Sequence, residues 1–248
     1  NGYKILKSKP SKFSSIDLFA GAGGTALGLE HAGFLHEALV EIDQNACHTL
    51  RANKPKWNII ENDISRVNFL PYQGKIDLVE GGFPCQSFSY AGRRLGMADT
   101  RGTLFYEFAR CVNEVRPKIA IGENVRGLIR HDDGKTLTAM LNTLDEIGYR
   151  VVWRLLRAQY LDVPQKRERI VIIAVRKDLK LPIFFPVEKP YTISMREALK
   201  DCPVSEGQEY PLRKREILGL IPPGGYWRNL PLPIQKEFMG ASFHLGGG

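Results

Sequence analysis

Between Phe13 and Val175 short β-branched runs alternate with amphipathic helical stretches, and no other feature restricts the chain as much. Consecutive parallel strands need a crossover of a dozen or more residues, usually a helix packed back on the sheet, so the pattern specifies a mostly parallel sheet with helical layers. The runs cover residues 13–20, 37–43, 59–63, 75–80, 118–123, 149–158 and 168–175. Helices are expected to start near Gly23, Asn45, Gly102 and Gly134. Only residues 159–167 separate the last two runs, too few for a crossover. Those two should pair antiparallel, which puts one reversed strand in the sheet.

Beyond Arg176 the alternation stops and prolines recur, so residues 1–176 and 177–248 are expected to form different parts of the structure. The chain's 248 residues, 43% hydrophobic, suffice for one large core and a lesser lobe, and no window approaches a membrane-spanning apolar run. The basic start NGYKILKSKPSKF lacks the apolar region of a secretory signal, and a soluble cytoplasmic protein is expected. Cys47, Cys85, Cys111 and Cys202 lie far apart with no C-x-x-C pair and no histidines clustered near them, so no metal site is expected. A formal charge of +8 suits a polyanionic partner.

Candidate chemistry gathers where the runs end, because open parallel sheets hold ligands in the crevice outside their carboxyl ends. DLFAGAGG, residues 17–24, leads from the first strand into the first helix, and Gly21, Gly23 and Ala26 fit G-x-G-x-x-G/A. Glu41 ends the second run, where a carboxylate can accept from both hydroxyls of a ribose. Asp63 ends the third and can receive an adenine amino group. An adenosine-containing cofactor fits all three, although dinucleotides use a similar loop and the glycines alone are also consistent with a tight turn. No lysine follows them as a phosphate-binding loop for ATP requires.

The fourth run leads into EGGFPCQSFS. A cysteine attacks as thiolate, and a helix N-terminus or a nearby cation makes that species available. Cys85 is followed by Gln86, Ser87, Ser89 and Gly92-Arg93-Arg94, residues suited to an exposed loop at an anionic surface. Cys47, Cys111 and Cys202 are expected to be buried structural thiols. Glu123-Asn124 and Gln165-Lys-Arg167-Glu-Arg169 bring polar groups to two further strand ends. Each alone fits a structural ion pair; with Cys85 they populate one rim.

DLFAGAGG, VEID, NDI, GGFPCQSFS, DTRGTLF, ENV and QKRER stand in this order between Ser15 and Val175, and in order and spacing they resemble the motifs of the cytosine-5 DNA methyltransferases. The resemblance implies an α/β, Rossmann-like methyltransferase fold that takes S-adenosylmethionine and releases S-adenosylhomocysteine. Phe19 would pack on the adenine, Glu41 and Ile42 would meet the ribose, and Asp63 and Ile64 the adenine edge. Pro84, Leu104 and the backbone of Asp17, Gly21, Gly23 and Gly24 would shape the methionine side. A cytosine flipped out of duplex DNA would meet Cys85, with Glu123 carrying a proton for ring nitrogen 3, kept there by burial, and Arg169 on the ring carbonyl. Arg167 and Ser89 would reach backbone phosphates, and Arg93, Arg94, Asn124 and Gln165 complete the expected DNA-binding set.

Nothing after Arg176 matches the family's later motifs, so residues 177–248 are expected to form a connection to, and the incomplete start of, a small target-recognition domain. The expectation is a split enzyme, with a second subunit supplying the remainder and covering an apolar surface rich in Tyr226, Trp227, Leu230, Leu232, Phe238 and Phe243. Three alternatives stand beside it: an RNA substrate, a catalytically silent binding subunit, and an NAD-dependent oxidoreductase. The silent subunit sits poorly with an intact Cys85, Glu123, Arg167 and Arg169. The oxidoreductase leaves Cys85 and QKRER unexplained.

Overall fold

A computed structural model of the chain describes residues 13–84, 104–202, 207 and 209–244. The first strand, β1 (Phe13–Leu18), is buried on both faces from Ser15 onward, because it has a strand on each edge and a helical layer on each side. It leads into α1 (Gly24–His31), β2 (Phe34–Glu41), α2 (Gln44–Asn53) and β3 (Ile59–Glu61). Then come β4 (Leu78–Gly81), α3 (Leu104–Val115), β5 (Ile119–Val125), α4 (Lys135–Glu146), β6 (Tyr149–Arg157) and β7 (Glu168–Arg176).

The seven strands form one sheet in the order β3-β2-β1-β4-β5-β7-β6. All neighbouring pairs are parallel except those of β7, which runs antiparallel to both β5 and β6. This is the mostly parallel α/β sheet with one reversed strand that the spacing implies. Each strand differs from its expected range by one to three residues at one or both ends, and two of the differences matter here. β2 begins at Phe34, because its first half alternates half-buried Phe34 and His36 with exposed Leu35 and Glu37, a pattern that apolar runs do not reveal. β4 continues past Glu80, so that glutamate is a buried strand residue and not a polar strand end.

The helical layers are unequal. On one face Ala26 of α1 and Leu50 of α2 pack with Leu39 and Ala20 over the β1–β2 side. On the opposite face α3 buries Phe105, Phe108, Ala109, Cys111, Val112 and Val115, and α4 adds Leu137, Met140 and Leu144. Phe83, just past β4, enters this layer with its ring 5.2 Å from Phe105 and 5.4 Å from Phe108. Gly122 makes room for it, since a Cβ there would lie 3.1 Å from Phe83 Cε1. Each of these buried phenylalanines contributes about 1.5–3 kcal/mol of transfer free energy.

The β5–β7–β6 part of the sheet is covered on the α3–α4 side, where Ala120, Gly122, Asn124, Ile170, Ile172 and Ala174 are all buried. Its other face is open: Ile121, Val152, Val171 and Ile173, cross-strand neighbours by register, are only half-buried.

After β7 the chain runs without strands to the single turn of α5 (Met195–Ala198). The fold divides into two compact units, Asn1–Asp201 and Cys202–Gly248. The second contains α6 (Leu212–Gly219) and α7 (Leu232–His244). Its small core holds Leu230 and Gln235, whose Nε2 donates to the carbonyls of Leu230 (2.6 Å) and Arg228 (3.0 Å). Leu230 is therefore not part of an exposed apolar surface; Tyr226, Leu232 and Phe238 are exposed, Trp227 is half-buried, and the side chain of Phe243 lies outside the described residues. No helix among the described residues is long and apolar enough to cross a membrane.

Candidate active site

The glycine turn after β1 is built from backbone strain and one carboxylate. Phe19 has φ 60°, a left-handed conformation that costs a bulky residue on the order of 1 kcal/mol or more and marks a position held by its surroundings. Gly23 has φ 88°, and a Cβ there would stand 2.6 Å from Leu50 Cδ2, inside the packed core. Glu41 pins the turn: its Oε2 accepts from Gly21 N–H at 2.7 Å, while Oε1 accepts from Ile42 and Asp43 N–H, each at 2.8 Å. Its carboxylate thus fastens the turn to the end of β2 before any ligand arrives, a role the sequence reading missed.

Next to this turn lies a cavity of about 340 Å³ walled by Phe19, Val40, Glu41, Ile42, Asn62, Asp63, Ile64, Gly82, Pro84 and Leu104. Seven of the residues expected at a cofactor meet here: Phe19, Glu41, Ile42, Asp63, Ile64, Pro84 and Leu104. Asp63 uses Oδ1 on Ser65, accepting from its N–H at 2.9 Å and its hydroxyl at 2.8 Å, and these bonds hold its carboxyl below the usual range. Val40, Asn62 and Gly82 were not named as site residues, although each stands in a quoted motif, VEID, NDI and GGFPCQSFS respectively. Gly21, Gly23 and Gly24 shape the turn and are not among the walls.

Asp17, expected at the cofactor, is not a wall either. It is 1% exposed and its carboxyl meets that of Glu80, 3% exposed and its register partner on β4. Burial pushes Asp17 up to about 7. Burial and then the repulsion of Asp17 push Glu80 well above the ordinary carboxylate range.

On the far side of β4, Glu123 Oε1 lies 2.8 Å from Arg169 Nε and 3.8 Å from Arg167 Nη2. The reversed direction of β7 produces this meeting, because it pairs Val125 with Arg169 and Glu123 with Val171. Three of the four residues expected to be catalytic therefore converge. Glu123 is 33% exposed and bridged by arginine, so the burial expected to keep a proton on it is absent from this arrangement. Beside it runs an open cleft lined by Val125, Arg126, Gly127, Gln159, Lys166, Glu168 and Arg169. Arg126 pairs with Glu168 at 2.7 Å; neither Arg126 nor Lys166 was named as a site residue, although Lys166 stands inside QKRER and Arg126 directly follows ENV.

Asn124 departs from its expected place on DNA. It is 3% exposed, its Nδ2 donates to the Phe83 carbonyl at 2.8 Å, and its Oδ1 accepts from Val125 N–H at 2.8 Å. Both ends of the amide are spent on backbone, and they tie the end of β5 to the strand exit that leads to Pro84. Gln165 is exposed, as a contact residue would be. Cys85, Ser89, Arg93 and Arg94 lie outside the described residues. Of the remaining thiols, Cys47 and Cys111 are buried as expected, and burial pushes the Cys111 thiol well up. Cys202 is exposed, against expectation, because it opens the second unit on a stretch with no regular structure.

The sequence pattern of the C-5 cytosine-specific DNA methylases matches residues 13–217. The Type II methyltransferase M.Eco47II of Escherichia coli is 53% identical over 246 residues, which is 95% of this chain and 59% of that protein. M.Sau96I of Staphylococcus aureus is 49% identical over 249 residues, 97% of this chain and 57% of that protein. The chain thus spans about three fifths of the length of the curated relatives it matches. Among solved structures, a DNA modification methyltransferase encoded within an E. coli prophage superposes with a TM-score of 0.63 at 27% identity, covering 88% of this chain and 66% of that one. Spodoptera frugiperda DNMT2 shares the fold with a TM-score of 0.65 at 21% identity, covering 85% and 66%.

Proposed function

The chain belongs to the C-5 cytosine-specific DNA methylase family, and we propose that it carries the catalytic part of an enzyme that methylates carbon 5 of a cytosine flipped out of duplex DNA, with S-adenosylmethionine as donor. The observation that carries this reading is the Asn124–Phe83 bond. It holds the end of β5, with Glu123 and its arginines, beside the strand exit that leads to Pro84 in the cavity wall, the residue that precedes Cys85 in the sequence.

The cavity's side chains suit the donor. Phe19 offers a ring for adenine, Asp63 Oδ2 faces no partner among the described residues and can take an exocyclic amino group, and Glu41 Oε2 retains a lone pair for a ribose hydroxyl. Pro84 and Leu104 give apolar walls toward the methionine part. When bound, the donor supplies a sulfonium-borne methyl that an electron-rich carbon can displace.

Carbon 5 of cytosine becomes such a carbon only when a nucleophile adds to carbon 6. In this reading the Cys85 thiolate forms that S–C bond, and the displaced double-bond electrons run through carbons 5 and 4 to nitrogen 3, where they are neutralised by a proton that Glu123 takes up from solvent as the entering base buries it. Arg169 holds the Glu123 carboxyl in place and faces the ring carbonyl, while Arg167, 49% exposed, reaches toward phosphate. Once carbon 5 is methylated, its proton leaves, the ring double bond re-forms, the C–S electrons return to Cys85, and the nitrogen-3 proton returns to Glu123.

A second polypeptide for sequence recognition belongs to this reading. The open face of β5, β7 and β6 and the exposed Tyr226, Leu232 and Phe238 are surfaces for it to cover. The test is tritiated methyl transfer to duplex DNA by the whole protein, with and without the product of its neighbouring reading frame. Incorporation that Cys85→Ala reduces to background supports the reading. Incorporation that survives Cys85→Ala refutes it.

A further inference from the structure

At the centre of the sheet two carboxyls face each other, and among the described residues no cation acts on either. Asp17 and Glu80 are register partners on β1 and β4, both buried, and their carboxyls act on each other. Among the described residues the charged groups acting on them are Glu41 from β2, on Asp17, and Glu123 from β5, on Glu80, and both add like charge. From α1 the Ala26 N–H points at Asp17, yet Asp17 Oδ2 is buried with no donor among the described residues. Carboxylates only accept, so the donor this pair needs is a proton on one of its own members. Burial and mutual repulsion keep one there, since two adjacent buried carboxyls do not both ionise near neutral pH.

We propose that Glu80 is a positioning residue for the methyl transfer: protonated, it donates to the Asp17 carboxylate, and the shared proton ties the end of β1 to the end of β4. Two residues on from each partner the chain reaches the cavity, at Phe19 from β1 and at Gly82 from β4, with Pro84 following. The tie therefore sets the distance between the two strand ends that lead to these cavity walls. The inference rests on the cofactor reading above and adds a regulator to it. Both partners hold protons more tightly when folded than unfolded. The tie is intact below the ordinary carboxylate range and is lost as pH rises through the folded values. Loss of the shared proton leaves two anions back to back, which part the strand ends.

The test is calorimetric binding of S-adenosylhomocysteine to the whole protein between about pH 6 and 9.5, with thermal unfolding midpoints at each pH, for wild type, Glu80→Gln and Glu80→Ala. Wild-type affinity should fall at high pH with a slope approaching tenfold per unit, the signature of one proton. Glu80→Gln keeps a donor that does not titrate, so it should bind within about threefold of wild type near pH 6.5, lose the high-pH limb, and unfold above wild type at pH 9. Glu80→Ala should bind at least about tenfold more weakly at every pH. A limb that persists in Glu80→Gln, or Glu80→Ala binding like wild type near pH 6.5, overturns the proposal. If wild type itself binds no nucleoside at any pH, the cofactor reading fails; the unfolding midpoints then decide alone, and parallel pH curves for wild type and Glu80→Gln overturn the pair.

Discussion

The two sides of the sheet fasten their functional residues by different means. On the β3-β2-β1-β4 side, the carboxylates at the cavity and its turn are spent on backbone N–H groups: Glu41 on Gly21, Ile42 and Asp43, Asp43 on Ala46, Asp63 on Ser65, while the ion pairs of Glu61 with Arg51 and Glu30 with Lys54 lie away from the cavity walls. On the β5-β7-β6 side they are spent on arginines: Glu123 on Arg169 and Arg167, Glu168 on Arg126, Glu188 on Arg157. The first arrangement fixes main chain, is short-ranged and leaves a preformed cavity. The second consists of half-exposed ion pairs whose cations an incoming polyanion can take over, and salt screens them. A site that must recognise one small molecule is built before binding; a site that must meet a long charged polymer keeps its charges exchangeable.

The largest effect expected on this contrast is from Gly23→Ala. The methyl would enter the space of Leu50 Cδ2 at a left-handed backbone position, combining about 1–2 kcal/mol of conformational strain with about 1–3 of overpacking. Loss of about 2–5 kcal/mol in urea unfolding, unchanged between low salt and 1 M salt, would confirm that steric fit governs the cofactor side. An effect under about 0.5 kcal/mol would show that Leu50 yields and the turn is not built as described.

Asn124→Ala should rank next, because it acts where the two sides join. It removes the partner of the buried Phe83 carbonyl and of the part-buried Val125 N–H, the first worth about 1–3 kcal/mol. Stability should fall by that amount, and methyl transfer should fall further than cofactor binding, since the displaced element is the exit from β4 toward Cys85. Equal losses in both would mean the bond serves the fold alone.

What the sequence made legible follows the same division. Periodicity placed all seven strands, and the short 159–167 connection placed the reversed one, because those features depend on local spacing. The convergence of Glu123 with Arg167 and Arg169 was also legible, each lying at the end of a run. The roles of Glu80 and Asn124 were not. Both stand in a string that reads as a polar strand end, and only the pairing of β4 with β1 and the approach of Phe83 to β5 decide that they are inside. Glu41 was placed correctly and explained incompletely, because its bond to Gly21 spans twenty residues and depends on how β1 lies beside β2.

The smallest expected change in stability, and the one that sharpens the contrast most, is at Arg126. Its side chain is 62% exposed and that of Glu168 33%, so the pair is in the class whose removal costs about 0–1 kcal/mol and less at high salt. Arg126→Ala should therefore leave unfolding almost unchanged. If the cleft it borders receives a DNA backbone, the same substitution should weaken duplex binding at low salt and reduce the slope of log affinity against log salt by about one. Gly23→Ala, measured among molecules that remain folded, should leave that slope alone. A salt slope unaltered by Arg126→Ala would place the phosphates elsewhere and leave the Arg126–Glu168 pair as a local tie between β7 and the turn after β5.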